Sequence, residues 1–302
     1  MIDLVQQLAD PTGKPAAWPD TYGDEAKPRM GFFTDTSVCI GCKACEVACK
    51  EWNLIPEDGL EWTGESYDNT SALGADTWRH VAFVEQEKPL RADENGREDV
   101  LRWLMSSDVC KHCTHAACLD VCPTGSLFRT EFGTVVVQED ICNGCGYCVP
   151  ACPFGVLDQR KLPAVSDPPP EWLGRKEDGR VWKCTLCYDR LKDGHEPACA
   201  KACPTDSIQF GELDQLRETA DKRLAKLERE GWNGAQLYLR DEDDGIGGGG
   251  AFFLLLDDPE VYGLPPDPVV TTRDVPEMWV NAALAGAALV AGTILSLLGG
   301  RR

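Results

Sequence analysis

The sequence predicts an α+β fold of two nested units, each organised round two cysteine groups, followed by one C-terminal transmembrane helix. Three observations carry that prediction. All 16 cysteines fall into four groups of four, with none left over. Short β-branched runs and one amphipathic run separate the groups. Trp279–Leu298 reads WVNAALAGAALVAGTILSLL, uncharged throughout and followed by Gly-Gly-Arg-Arg. At about 1.5 Å per residue, that segment matches a hydrocarbon layer roughly 30 Å thick.

Taken in order, residues 1–29 are polar and Pro-rich and read as an arm laid over a surface. Their start has no basic region leading into an apolar run, so no signal peptide is expected. The first cysteine group occupies 39–49, and a cysteine-free stretch to 109 holds Trp52, Trp62, Trp78 and Trp103. Groups two and three follow at 110–122 and 142–152. Between them SLFRTEFGTVVVQ reads as a hairpin, with β-branched Thr134–Val137 and a turn at Gly133.

A connection with Pro163, Pro168, Pro169 and Pro170 leads to group four at 184–203. SIQFG at 207–211 reads as a strand. ELDQLRETADKRLAKLEREG sets Leu213, Leu216, Ala220, Leu224 and Leu227 at helical spacing, with Gly231 closing the helix. DEDDGIGGGG at 241–250 reads as an acidic, flexible loop, and AFFLLL after it as a buried strand.

Composition narrows the function. The net charge is −20 over 302 residues, so phosphate backbones are repelled and no nucleic-acid partner is expected. A hydrophobic fraction of 43% argues against disorder.

The cysteine spacing is the chemical signal. Groups one and three are C-x2-C-x2-C-x3-C: Cys39, Cys42, Cys45, Cys49 and Cys142, Cys145, Cys148, Cys152. Group two is Cys110, Cys113, Cys118, Cys122, and group four is Cys184, Cys187, Cys199, Cys203. C-x2-C loops aim successive thiolates at one point, and small residues such as Gly41, Gly144 and Gly146 let backbone N–H groups approach cluster sulfurs. Zinc also takes C-x2-C pairs, but through two separated pairs rather than continuous runs.

In two-cluster ferredoxins the fourth cysteine ligates the other cluster and precedes a proline. Pro123, Pro153 and Pro204 follow Cys122, Cys152 and Cys203, whereas Lys50 follows Cys49. Groups two and three then form a contiguous ferredoxin-like 2[4Fe–4S] unit, nested inside a second one made by groups one and four. Four [4Fe–4S] clusters are expected. Cluster A would be held by Cys39, Cys42, Cys45 and Cys203, and cluster B by Cys184, Cys187, Cys199 and Cys49. Cluster C would take Cys110, Cys113, Cys118 and Cys152, and cluster D Cys142, Cys145, Cys148 and Cys122.

The expected organisation is an arm (1–29), an outer unit (30–109 and 181–260), an inner unit (110–160), a Pro-rich connection (161–180), a linker (261–278) and the helix (279–298). No phosphate loop or catalytic constellation emerges, so the chain reads as an electron wire with no catalytic site of its own. His112 and His115 read as ordinary loop residues. Lys111, Lys183 and Lys201 adjoin ligands, where they either raise cluster potentials or stand solvated at the surface.

The segments CIGCKACEVACKEWN, YDNTSAL, CGYCVPACPFGV, VWKCTLCYDR, EPACAKACPT and YGLPPDP, with the terminal helix, resemble the iron–sulfur (beta) subunits of membrane-bound respiratory formate dehydrogenases. The resemblance covers most of residues 30–300. It implies a catalytic alpha subunit with a molybdenum or tungsten pterin, a membrane cytochrome b gamma subunit passing electrons to quinone, and anaerobic respiration. It also implies an inner-membrane location with the cluster domain exported alongside a partner. Nitrate-binding relatives replace one ligand; here every position is Cys.

Ala282 with Gly286, and Ala288 with Gly292, would let another membrane helix approach closely. Arg301 and Arg302 against Arg273 favour a cytoplasmic C-terminus and an extracytoplasmic cluster domain. Two alternatives remain: the same wire serving a membrane-bound nickel–iron hydrogenase or other molybdopterin oxidoreductase, and a zinc-stapled protein tethered to the bilayer.

Overall fold

The computed structural model describes residues 22, 25–57, 62–64, 67–86, 102–160, 179–270 and 274–299. Most of the expected arm, the Pro-rich connection up to 178, and Arg273, Arg301 and Arg302 lie outside the described residues.

Strand β1 (Met30–Asp35) leads through a 3-10 turn into group one, whose helix α1 (Ala44–Asn53) carries Cys45 and Cys49. A two-stranded ribbon of β2 (Arg79–Gln86) and β3 (Arg102–Val109) precedes group two. Then come α2 (Ala117–Asp120), β4 (Leu127–Arg129), β5 (Val135–Val137), α3 (Cys148–Ala151) and β6 (Asp158–Gln159). Group four lies among β7 (Val181–Trp182), α4 (Tyr188–Lys192) and α5 (Ala198–Lys201). The chain closes with β8 (Ile208–Glu212), α6 (Leu213–Arg229), β9 (Gln236–Tyr238), β10 (Ala251–Leu255) and α7 (Val275–Gly299).

The main sheet has the order β8-β1-β10-β9, with β1 and β10 parallel and both edge strands antiparallel to their neighbours. Every residue of β10 is buried, which suits the continuous apolar run AFFLL of a central strand. Helix α6 buries Leu213, Leu216, Ala220 and Leu227 in the same core. Its Leu224 is half-buried, and Gly231, with φ at +87°, takes the left-handed turn just past the cap. The expected hairpin is β4–β5, paired from Leu127↔Val137 to Arg129↔Val135. The strand read at 207–211 is β8, and it pairs with β1.

One expectation is corrected. The glycine-rich part of 241–250 is not a flexible loop: Ile246 to Gly250 are buried. Asp244 Oδ1 accepts from the amides of Ile246 and Gly248, both at 3.0 Å, and fixes the turn. Backbone bonds then join this run to the group-two loop, from His115 N to Ile246 O (2.7 Å), Thr114 N to Gly248 O (3.0 Å) and Ala251 N to Lys111 O (3.0 Å). Side-chain-free residues are required because the two backbones lie against each other.

Helix α7 contains a 23-residue segment, Glu277–Gly299, with a mean hydropathy of 2.0 and no burial against the other described residues. It is long and apolar enough to cross a membrane.

Candidate metal-cluster centres

Each cysteine group opens with the same backbone device. The residue before the second cysteine is left-handed in all four: Gly41 (φ +64°), His112 (+43°), Gly144 (+71°) and Leu186 (+58°). Such alternation turns successive N–H groups toward one point, a concavity that binds anions and iron–sulfur sites. Non-glycine residues pay roughly 1–2 kcal/mol for this conformation, so His112 and Leu186 hold it against their own preference. At Gly41 a side chain is excluded on space as well, since a Cβ would stand 2.6 Å from the Phe83 ring.

The thiols converge in four sets. Cys39, Cys42, Cys45 and Cys203 line one open cavity with Val81, Ser107 and Ile208. Cys122, Cys142, Cys145 and Cys148 line another with Thr124, Leu127 and Val137. Burial raises the Cys49 thiol well above its ordinary value, and the neighbouring Cys184, Cys199 and Cys187 raise it further. Burial does the same to Cys113, reinforced by Cys110, Cys118 and Cys152. These four sets are called A, D, B and C respectively. Helix α1 packs on α5, and α2 on α3, so the x3-C cysteine of each group reaches across to its partner group.

Charge coupling between sets gives their spatial order. The Cys45 thiol of A is raised by burial and also by Cys199 of B, with Arg79 opposing. Cys184 of B feels Cys110 of C, and Cys118 of C feels Cys148 of D. The order is A–B–C–D. Cys42 in A and Cys145 in D are exposed, whereas all four cysteines of B are buried.

The thiols fit metal clusters and poorly fit free acids. Burial pushes Cys118 up to about 12, Lys183 notwithstanding, and Cys148 up to about 11. Protonated thiols at those values are inert as nucleophiles; as cluster ligands they would have to lose their protons, and bound iron would offset the repulsion among the resulting thiolates. Among the described residues, no three or more His, Cys, Asp or Glu groups are arranged for a single metal ion.

Polar side chains furnish the surroundings, and several were illegible in the sequence. Ser107 Oγ lies 3.2 Å from Cys45 Sγ, and Asn53 Nδ2 lies 3.7 Å from Cys49 Sγ. Lys111 and Lys183 are 0% and 1% exposed, which rules out solvated surface positions for both. Lys111 Nζ donates to Asp108 and to Val109 O at 2.9 Å; Lys183 Nζ donates to Val135 O and to Cys184 O at 2.9 Å. Lys201, in contrast, is exposed. His112 is no ordinary loop residue: it is 1% exposed, and its Nδ1 accepts from Val135 N at 3.1 Å, tying group two to the hairpin. Its imidazole is held well below the ordinary value by burial first, then by Lys183, Arg129 and Arg29.

Repeated cysteine nests on paired short helices, strung in a line, define a multi-cluster ferredoxin-type iron–sulfur protein. Comparison with known proteins agrees: residues 38–126, 101–167 and 141–208 each match a 4Fe-4S dicluster domain family. The chain is 39% identical over 279 residues to the formate dehydrogenase, nitrate-inducible, iron-sulfur subunit of Escherichia coli K12, covering 90% of this chain and 85% of that one. It is 39% identical over 280 residues to the formate dehydrogenase iron-sulfur subunit of Haemophilus influenzae, covering 90% and 81%. The B subunit of the anaerobic dimethyl sulfoxide reductase of E. coli is 35% identical over 193 residues, 63% of this chain and 77% of that one. This chain is a member of the family of formate dehydrogenase iron–sulfur subunits, and its cofactors are [4Fe–4S] clusters.

Proposed function

We propose that this chain carries electrons from formate oxidation in a molybdenum- or tungsten-pterin catalytic subunit to a membrane cytochrome b and the quinone pool. The observation that carries the reading is the linear order A–B–C–D with an exposed cysteine only in the two end sets, Cys42 and Cys145. A conduit needs an entrance and an exit at the surface and an interior shielded from water. Apolar Ile40 (58% exposed) beside Cys42, and Tyr147 (63%) beside Cys145, suit docking of a partner subunit at each end.

We assign Cys39, Cys42, Cys45 and Cys203 to cluster A, and Cys49, Cys184, Cys187 and Cys199 to cluster B. Cluster C takes Cys110, Cys113, Cys118 and Cys152, and cluster D Cys122, Cys142, Cys145 and Cys148. The outer unit (30–109 and 181–260) then encloses the inner one (110–160). When bound, each cluster supplies a one-electron couple. The protein supplies sixteen thiolates, N–H groups turned inward by the left-handed loop residues, and buried cations near C.

Helix α7 anchors the chain in the cytoplasmic membrane as a single span. Two arginines after it against one before it orient the cluster domain to the extracytoplasmic side. The test is low-temperature EPR of anaerobic native membranes enriched in the protein, given formate and hydrogen separately. Several interacting [4Fe–4S] signals are expected with formate alone. Signals with hydrogen alone would assign the wire to a hydrogenase, and none even with dithionite would overturn the iron–sulfur conduit itself.

A further inference from the structure

Arg79 opens β2 and is only 2% exposed. Its Nη1 donates to the Ser107 carbonyl at 3.2 Å and to Ser107 Oγ at 3.1 Å, the same hydroxyl that touches Cys45 Sγ at 3.2 Å. Its guanidinium carbon sits 4.8 Å from the centre of the Phe32 ring, within cation–π range. These contacts leave Nε and Nη2 buried and without a hydrogen-bond partner among the described residues. No carboxylate among those residues pairs with it either.

A guanidinium taken out of water costs several kcal/mol unless an opposite charge and acceptors compensate. The thiols whose negative charge acts on it once they are thiolates are Cys199 of set B, Cys45 of set A, and Cys184 and Cys49 of set B. It therefore stands at the boundary between two sets and belongs to both.

We propose that Arg79 is the shared counter-ion of clusters A and B, its free Nε and Nη2 donating to sulfur and its charge raising the reduction potential of both clusters together. The inference rests on the ligand assignment above. Each cluster gains one negative charge on reduction, so a fixed cation between two of them stabilises the reduced form of each. One side chain thereby keeps neighbouring potentials matched. Arg79 is a positioning and potential-setting residue; the ligands remain the cysteines. Set D offers an internal reference, because among the described residues no cationic side chain lines its cavity.

The test is an EPR-monitored redox titration of the purified complex carrying Arg79→Gln or Arg79→Lys, with iron and acid-labile sulfide measured on the same samples. In R79Q the reduced-to-oxidised ratio of A and B at a fixed potential falls about tenfold, about 59 mV for a one-electron couple. C and D stay at their parental values, and R79K restores most of the shift in A and B. Full cluster content with A and B no more shifted than C and D would overturn the proposal.

Should the variants fail to assemble clusters, the parent complex grown on guanidino-15N-labelled arginine decides. Pulsed EPR is expected to show a weak 15N coupling on the reduced A signal, and its absence overturns the assignment. A parent complex without iron and sulfide would refute the conduit reading instead, so the two failures are distinguishable.

Discussion

The side-chain amide of Asn53 lies 3.7 Å from Cys49 Sγ and 3.9 Å from Cys187 Sγ, reaching two sulfurs of set B from the last turn of α1. The same nitrogen donates to Cys49 O at 2.9 Å, which holds it in place. A donor aimed at sulfur favours the more negative, reduced state. At about 0.5–1.5 kcal/mol for such a bond, Asn53→Ala should lower the reduced-to-oxidised ratio of cluster B roughly two- to tenfold. The redox titration used for Arg79 reads this directly, and an unmoved B midpoint in a fully loaded variant would refute it.

The proposed crossed ligand sets make a paired prediction. Cys203 follows α5 in group four yet lines the cavity of Cys39, Cys42 and Cys45, while Cys49 of group one lies among group-four thiols. Cys203→Ser should therefore damage cluster A and spare B, and Cys49→Ser should do the reverse. Signal-by-signal EPR with iron counts checks it. Loss of B on substituting Cys203 would mean that ligation follows sequence order.

Gly247 supports the loop of group two from behind. Its φ is +72°, and a Cβ there would collide with the imidazole of His115. The left-handed conformation alone costs a non-glycine residue roughly 1–2 kcal/mol, and the displaced His115 would drag the neighbouring Thr114 and Cys113. Gly247→Ala is expected to speed bleaching of the visible cluster absorbance in guanidinium, with the C signal lost first. Equal loss rates in parent and variant would show that the glycine run carries no load.

Asp68 fastens the loop after group one. Burial by itself would raise its carboxyl, but hydrogen bonds from His80 Nε2 at 2.6 Å and Lys43 Nζ at 3.0 Å outweigh that and hold it well below the usual carboxylate range. A depressed folded value means the stabilisation is complete above the unfolded value of about 3.9 and is lost only as pH falls through the lower folded one. Asp68→Asn should thus lower the guanidinium midpoint by the same amount at pH 7.5 and at pH 5.5. Below about pH 3.9 the gap should narrow, and a gap that stays constant down to pH 2.5 would indicate an ordinary, unshifted carboxyl there.

How much of this was legible in the sequence differs by level. Cysteine spacing is a covalent ruler, so the C-x2-C loops could be read without coordinates, as could the buried AFFLLL strand and the stripe of α6. The Gly-rich run was misread because glycine serves mobile loops and close backbone contacts equally well, and only the packing of His112, Thr114 and His115 against it decides. Arg79 and Ser107 stand far in sequence from the cysteines they face and enter through register on the β2–β3 ribbon, Val81↔Ser107 and Arg79↔Val109. Nor could Lys111 and Lys183 be told from surface lysines, since burial belongs to the fold and not to the residue type.

The proposed membrane anchor can be tested apart from the wire. Leu284, Leu289, Ile294, Leu295 and Leu297 of α7 are all more than half exposed, and none of the segment Glu277–Gly299 is buried in the rest of the fold. Apolar surface left in water costs about 25 cal/mol per Å², so such a helix needs lipid or a partner helix around it. The strands β1, β8, β9 and β10 and the four thiol sets draw their packing from residues before 271. A chain ended at Asp274 and produced without other subunits is therefore expected in the soluble fraction with its visible cluster absorbance per iron unchanged. The full chain produced the same way should pellet with membranes and resist extraction by high salt, which removes proteins held by charge but not those held by hydrocarbon. Retention of the shortened chain on membranes would move the anchor to the cluster domain and leave α7 as a docking helix only.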